Sequence, residues 1–474
     1  MSSPIENYFA KIKRYHYYFF VLVYSTKLPV FWHVLSLIFI SPPMEYTCKG
    51  ATEGVNQCPC AEPVWNRSVF TETLQTKYTL ICDKKWMVSF TQSMLYVGTL
   101  IGALTFGILS DKYGRLTTFC ASCFVITVAG ILVVFMPSAA TFIVMRTIEG
   151  WGVGGSIVTI YVFLVEFCGP SYREMVTALF HVPINISHCC LAGMSYLFRN
   201  CDHFQMVLSI PVILCCLLYW LTYESPKWLV DNQQYDRAFL VMQKIAKFNG
   251  DNPDTMKSEM QSFYSAYHRS QVVRISFWQI FHHRRLTINL CCMAYVYFTC
   301  GMGYYGVSQY IGKMSGDIHK NVAISGALLI PGTVASVFLL KSLGRRTFLM
   351  STTFISGVLM IVVILIPKHM QSMRVLVACI CNCFFFMSFI IVFLYGVELF
   401  PTTIRNSVLG FLSVVSRLGQ IAAPPINAFP EEVSGAIFGA MAILGSVLCI
   451  PLPETKNRAL PDTLAETENL SNKK

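Results

Sequence analysis

Arg417 stands about halfway along the apolar run 406–428. A charge at that depth in a bilayer costs about 2.5–3.5 kcal/mol on the mildest scale, so it persists only against a cavity or a partner. A guanidinium facing a cavity is shaped to hold a carboxylate through two parallel hydrogen bonds; the plainer alternative is an ion pair to a neighbouring helix. Lys27 lies inside the run 17–40, two residues before Pro29, whose ring frees backbone polar groups at cavity depth. It would add positive potential to the same cavity, or else reach for headgroups. Arg146 and Glu149, three apart in the run 140–166, share a helical face. They read as a self-neutralising pair, or Glu149 as an acid coupled to proton movement. Enzyme chemistry lacks such material. His181 and His188 are seven apart with no acid beside them, and His282-His283 adjoin Arg284-Arg285 in a polar loop. Neither pair has triad or ligand spacing, so no catalytic residue, metal or other cofactor is expected. Gly150, Gly152, Gly154 and Gly155 follow no strand, which removes a nucleotide-binding loop and leaves close helix packing.

The elements that must position these residues are built for lipid. Of 474 residues, 54% are hydrophobic and 13% charged, roughly half the charged share of a soluble domain. Apolar runs of about 20 residues cross a hydrocarbon core as a helix. Twelve occur, near 17–40, 87–109, 116–136, 140–166, 174–198 and 204–222, then 286–311, 321–341, 346–366, 374–398, 406–428 and 432–452. The expected architecture is an all-α membrane protein of two six-helix halves. Residues 1–222 form the first half with a Cys-rich loop at 41–86, 223–285 a central loop, 286–452 the second half and 453–474 a tail. The first apolar run is too long for a cleavable signal peptide. A net charge of +11 does not mark nucleic-acid binding, because Lys and Arg lie in short loops between the runs. Cytoplasmic loops hold such an excess, which puts both termini in the cytosol.

Most of the 19 cysteines lie within apolar runs and read as small packing residues. Cys48, Cys58, Cys60 and Cys82 share one polar loop with the sequon Asn66-Arg67-Ser68, so glycosylation at Asn66 and disulfides in an oxidising space are expected. Four cysteines leave three pairings open. The halves also repeat. Asp111-Lys112-Tyr113-Gly114-Arg115 is matched by Lys341-Ser342-Leu343-Gly344-Arg345-Arg346, Glu166 and Arg173 by Glu398 and Arg405, and Glu224 by Glu454. The offsets between the leading residues are 341 − 111 = 230, 398 − 166 = 232 and 454 − 224 = 230. A duplicated six-helix unit follows, with a solute site near the midplane between the halves.

Gly107-x3-Asp111-Lys112-x-Gly114-Arg115 resembles the loop motif of the major facilitator superfamily. Glu224-Ser225-Pro226-Lys227-Trp228-Leu229, the stretch from Tyr395 to Asn406 and Pro453-Glu454-Thr455-Lys456 are similar to its carriers of organic cations, organic anions and carnitine. The resemblance covers nearly the whole chain. It implies a monomeric plasma-membrane transporter that moves a small organic ion through the lipid bilayer by alternating access, with a co- or counter-ion. It implies that Asp111, Arg115, Glu166, Arg173, Arg345, Arg346, Glu398 and Arg405 form a gate of charge pairs between the halves that closes the cytoplasmic side when the carrier opens outward. It also implies that Tyr304, Tyr305 and Tyr395 line the cavity. The chain departs at three points. Lys341 stands where an acid is usual, Leu329 where many members carry a carboxylate, and Arg417 where cation carriers tend to have Asp. Anion and carnitine carriers resemble it in having Arg, so organic anions or zwitterions are the expected solutes. An organic cation carrier of the same fold and a member that has lost transport are the alternatives.

Overall fold

The computed structural model describes residues 4–49, 55–169, 171–266, 277–401 and 404–456. Most of the expected tail, 457–474, and part of the central loop, 267–276, lie outside them. Twelve described helices are long and apolar enough to cross a bilayer. They are α1 Arg14–Leu35, α2 Cys82–Tyr113, α3 Arg115–Phe135, α4 Ala139–Glu166, α5 Met175–Leu197 and α6 Cys201–Leu221, then α7 Arg284–Lys313, α8 Ile318–Leu340, α9 Arg345–Leu365, α10 Gln371–Leu399, α11 Ser407–Ile426 and α12 Glu431–Leu448. Each expected run overlaps one of them. Large apolar side chains such as Ile108, Phe124, Trp220, Phe338 and Leu365 stand exposed on the outside of the bundle. Inside, the helix ladders satisfy the backbone, which a bilayer demands.

Local chemistry sets the ends. Asn200 accepts from Asp202 N and His203 N at the start of α6, and Asp317 accepts from His319 N and Lys320 N at the start of α8. Two helices are capped from far along the chain. Glu224 accepts from Arg115 N at 3.1 Å and Leu116 N at 3.1 Å, and Glu454 accepts from Arg345 N at 2.7 Å. A carboxylate there satisfies orphan amides and complements the positive end of the helix dipole. Burial raises the Glu224 carboxyl above its ordinary value, against the pull of those amides.

Glycines let helix pairs close up. A Cβ on Gly98 would overlap the Thr147 carbonyl and one on Gly154 the Thr99 carbonyl, so α2 and α4 meet backbone to backbone. In the second half, Cβ atoms on Gly301 and Gly419 would overlap the Ser416 and Phe298 carbonyls, which presses α11 onto α7 on either side of Arg417.

The loop after α1 carries a short antiparallel pair, β1 Tyr46–Cys48 and β2 Pro63–Trp65, in register Tyr46↔Trp65. Disulfides join Cys48 to Cys60 and Cys58 to Cys82. On this loop face the two halves are tied together. Ser93 Oγ donates to Ile421 O at 2.9 Å, and Asn185 Nδ2 donates to Leu329 O at 3.1 Å and Thr333 Oγ1 at 2.6 Å. The ring of His319, at the start of α8, stacks on Phe39 at 5.6 Å and lies against Phe70 of the loop and Tyr196 of α5. Its Nε2 is 3.4 Å from Ser195 Oγ.

Candidate functional site

A wall of rings crosses the middle of the bundle. Tyr305 lies 4.8 Å from Tyr304, 5.6 Å from Tyr96, 6.1 Å from Phe389 and 6.4 Å from Phe31, which draws on α7, α2, α10 and α1. Tyr304 stacks obliquely on Phe386 at 4.8 Å, and its buried hydroxyl has no partner. Arg417 approaches this wall from α11 and is in electrostatic reach of Tyr305. Among the described residues the guanidinium makes no hydrogen bond or ion pair. The two glycine approaches hold it there, one on each side.

Lys27 enters from α1 and is only 4% exposed. Its ammonium donates to Phe180 O at 2.8 Å and sits 3.4 Å over the Phe180 ring. No carboxylate meets it among the described residues. Phe180 and His181 fall where α5 is interrupted, between the helical segments Arg173–Leu179 and Val182–Leu197. Pro183 lacks the amide that would bond the Leu179 carbonyl, and His181 N turns back to Ala178 O. Proline in the sequence was the available sign of this break.

Arg146 and Glu149 do pair, at 2.9 Å, with neither side chain exposed. Their surroundings were not visible in the sequence. Glu149 is also hydrogen-bonded to His33 Nδ1 and accepts from Gln205 Nε2 at 2.9 Å. Arg146 donates to Ser36 Oγ at 2.9 Å, and His33 Nε2 lies 3.2 Å from Leu208 O. The result is a sealed polar knot joining α1, α4 and α6 inside the first half. Glu149 is the only carboxylate that is buried among the described residues.

On the face opposite the disulfide-bearing loop, the repeated charges make the following contacts. Arg115 binds Glu166 at 2.8 Å and also Asp111; Arg345 binds Glu398 at 3.2 Å. Arg173 donates to Cys168 O at 3.1 Å and Arg405 to Phe400 O at 3.2 Å. These contacts run within a half, and Arg115 and Arg345 each start a helix beside the acid of their own bundle. Tyr395 stands apart from Tyr304 and Tyr305. Its hydroxyl donates to Pro453 O at 2.5 Å, and Arg346 and Glu398 lie in electrostatic reach of it. It therefore belongs to the charged end of α10, away from the ring wall. Asn66 is exposed and accepts from Ser68 N at 3.2 Å, so the sequon is accessible.

The sequence pattern of the "Sugar (and other) transporter" family matches residues 46–464. Solute carrier family 22 member 3 of Rattus norvegicus is 29% identical over 87% of this chain and 74% of its own length. Solute carrier family 22 member 13 of Homo sapiens is 29% identical over 84% and 72%. The organic cation transporter protein of Drosophila melanogaster is 28% identical over 87% and 77%. Among solved structures, the inward open xylose transporter XylE from E. coli superposes with a TM-score of 0.70 at 14% identity, covering 96% of this chain and 99% of that one. That likeness establishes the arrangement of the twelve helices.

Proposed function

We propose, since this chain belongs to the sugar (and other) transporter family and has the major facilitator fold, that it carries small organic anions or zwitterions across the plasma membrane by alternating access. It is a multi-pass transporter and not an enzyme. The observation that carries the choice of solute is Arg417, whose guanidinium beside Tyr305 has no hydrogen bond or ion pair among the described residues. A charge at membrane depth without a protein partner is completed by a ligand of opposite sign, and a carboxylate fits its fork. Lys27 adds a second positive centre, and the rings of Tyr304 and Tyr305 give an apolar wall for the solute's body. Among the described residues the one buried acid is already bound by His33, Arg146 and Gln205, so no unbound buried carboxylate is found there to receive a cation. The Drosophila melanogaster relative named for organic cations is the ground for the rival solute.

The disulfide-bearing loop would face outside and both termini the cytosol, so the tied loop face closes the outer entrance. In the opposite state, the pairs centred on Arg115 and Arg345 would exchange for partners in the other half, which makes the eight charges a gate. The His33–Glu149 contact is where a coupled proton would reside, since both imidazole nitrogens face oxygens. We take the working unit to be a monomer. Competition in cells expressing the chain decides the solute: labelled carboxylates and carnitine against tetraethylammonium, with wild type and Arg417→Asp. Carboxylate uptake that R417D abolishes at normal surface expression supports the reading. Tetraethylammonium uptake with no carboxylate uptake refutes it.

A further inference from the structure

The break in α5 holds a polar group that the solute reading leaves unused. His181 Nδ1 is buried and has no hydrogen-bond partner among the described residues. The ring stands edge-on to Phe386 at 5.9 Å and Phe389 at 6.3 Å, both from α10 in the other half. Phe389 continues directly to Tyr305, so His181 sits at one end of the ring wall and Arg417 at the other. Beside it, the Lys27 ammonium has three donors, and one protein acceptor, Phe180 O, is found for them. An orphaned buried nitrogen costs about 1–3 kcal/mol, and a broken helix at membrane depth is tolerated where it lines a cavity. Interrupted helices are also where carriers of this kind build their solute sites.

We infer that His181 is a specificity-determining residue: together with Lys27 at the α5 break, it receives a second hydrogen-bond-accepting group of the solute, opposite the group held by Arg417. The favoured solute then carries two acceptor groups separated by an apolar body. This rests on the anion reading and narrows it. Contacts to one group from α1 and α5, and to the other from α11, would make a single molecule span both halves. A solute with one acidic group fills only one pole. Two structural alternatives, packing of the ring and a merely tolerated orphan nitrogen, predict no such discrimination.

Adipate and hexanoate share a six-carbon chain and differ by one carboxylate, so they probe the second pole alone. Binding of both to the purified full-length chain is measured for wild type, His181→Leu, His181→Asn and Arg417→Met. Wild type should favour adipate by about tenfold or more, the worth of one charge-assisted hydrogen bond. H181L should lose that preference with hexanoate binding unchanged. H181N, whose amide occupies the Nδ1 position, should keep it. Equal affinities in wild type, or a preference that survives H181L, overturns the inference. A variant that fails to fold is recognised by its melting profile, and H181N then decides alone: loss of the preference in a folded H181N overturns the inference as well. Failure of the anion reading looks different. There R417M leaves both acids bound as before, or wild type binds neither, and the inference falls with it.

Discussion

Arg146 and Arg417 should answer the same substitution differently. Arg146 lies in the sealed knot, 2.9 Å from Glu149 and 2.9 Å from Ser36. Arg146→Met leaves the Glu149 carboxylate buried with the positive partner gone. Breaking a buried pair by removing one member costs about 3–5 kcal/mol, a large fraction of any fold's margin. Arg417 has no partner among the described residues, so Arg417→Met orphans none of them. It removes a charge whose placement near the middle of a span costs about 2.5–3.5 kcal/mol, and the ligand-free protein should become equally or more stable. The loss appears in binding instead. A charged hydrogen bond is worth about 1.5–3 kcal/mol, so affinity for a carboxylate solute should fall about 10- to 150-fold. The assay is thermal unfolding of the detergent-purified chain without solute, alongside solute binding, for wild type and both variants. A melting temperature that falls in R417M as far as in R146M would mean that Arg417 is held by the protein, and the reasoning from its isolation would be refuted.

Gly154→Val should prevent maturation, because the new side chain meets the Thr99 carbonyl where α2 and α4 touch; overpacking costs about 1–3 kcal/mol or more, and surface biotinylation reads the loss. Phe70→Ala should loosen the outer closure by removing a ring from His319. Faster labelling of a cysteine introduced at Gln92 by a membrane-impermeant thiol reagent is expected, and an unchanged rate would show that the ring does not hold the halves together. Cys58→Ser should release Cys82 as a free thiol while Cys48–Cys60 persists, with about 2–4 kcal/mol less stability, checked by peptide mapping under non-reducing conditions. Hydrogen bonds from Lys13 and Tyr8 hold the Asp251 carboxyl below its ordinary value. Its contribution is therefore complete above the ordinary carboxylate range and lost as the pH falls through the lowered value. Asp251→Asn should remove that acid sensitivity at a cost under about 1 kcal/mol, since the pair is partly exposed.

The helices and the duplication were legible in the sequence, because run length and loop charge are local quantities. Arg417 was legible for the same reason: a charge in the middle of an apolar run announces itself. What depended on which helix faces which was not. His33 joins Glu149 across 116 residues, and no periodicity within α1 or α4 points to that encounter. The cysteine pairing needed the β1–β2 register, and the place of Tyr395 needed the return of Pro453 to α10. Lys27 was visible as an odd charge, but its acceptor is a backbone carbonyl, which every residue has. The break at Phe180–His181 had a signal in Pro183, weakened because prolines inside membrane helices often leave the helix continuous.

The long-range caps also impose an order in time. Glu224 closes the first turn of α3, and Glu454 closes that of α9, each from 109 residues downstream. At a synthesis rate of about 5–20 residues per second, each turn stays open for about 5–20 s after it is made. The first bundle can be sealed while the second is still being translated, whereas the second waits until residue 454 has been made. A ribosome that stalls before codon 454 would thus leave one finished bundle beside one still unlatched.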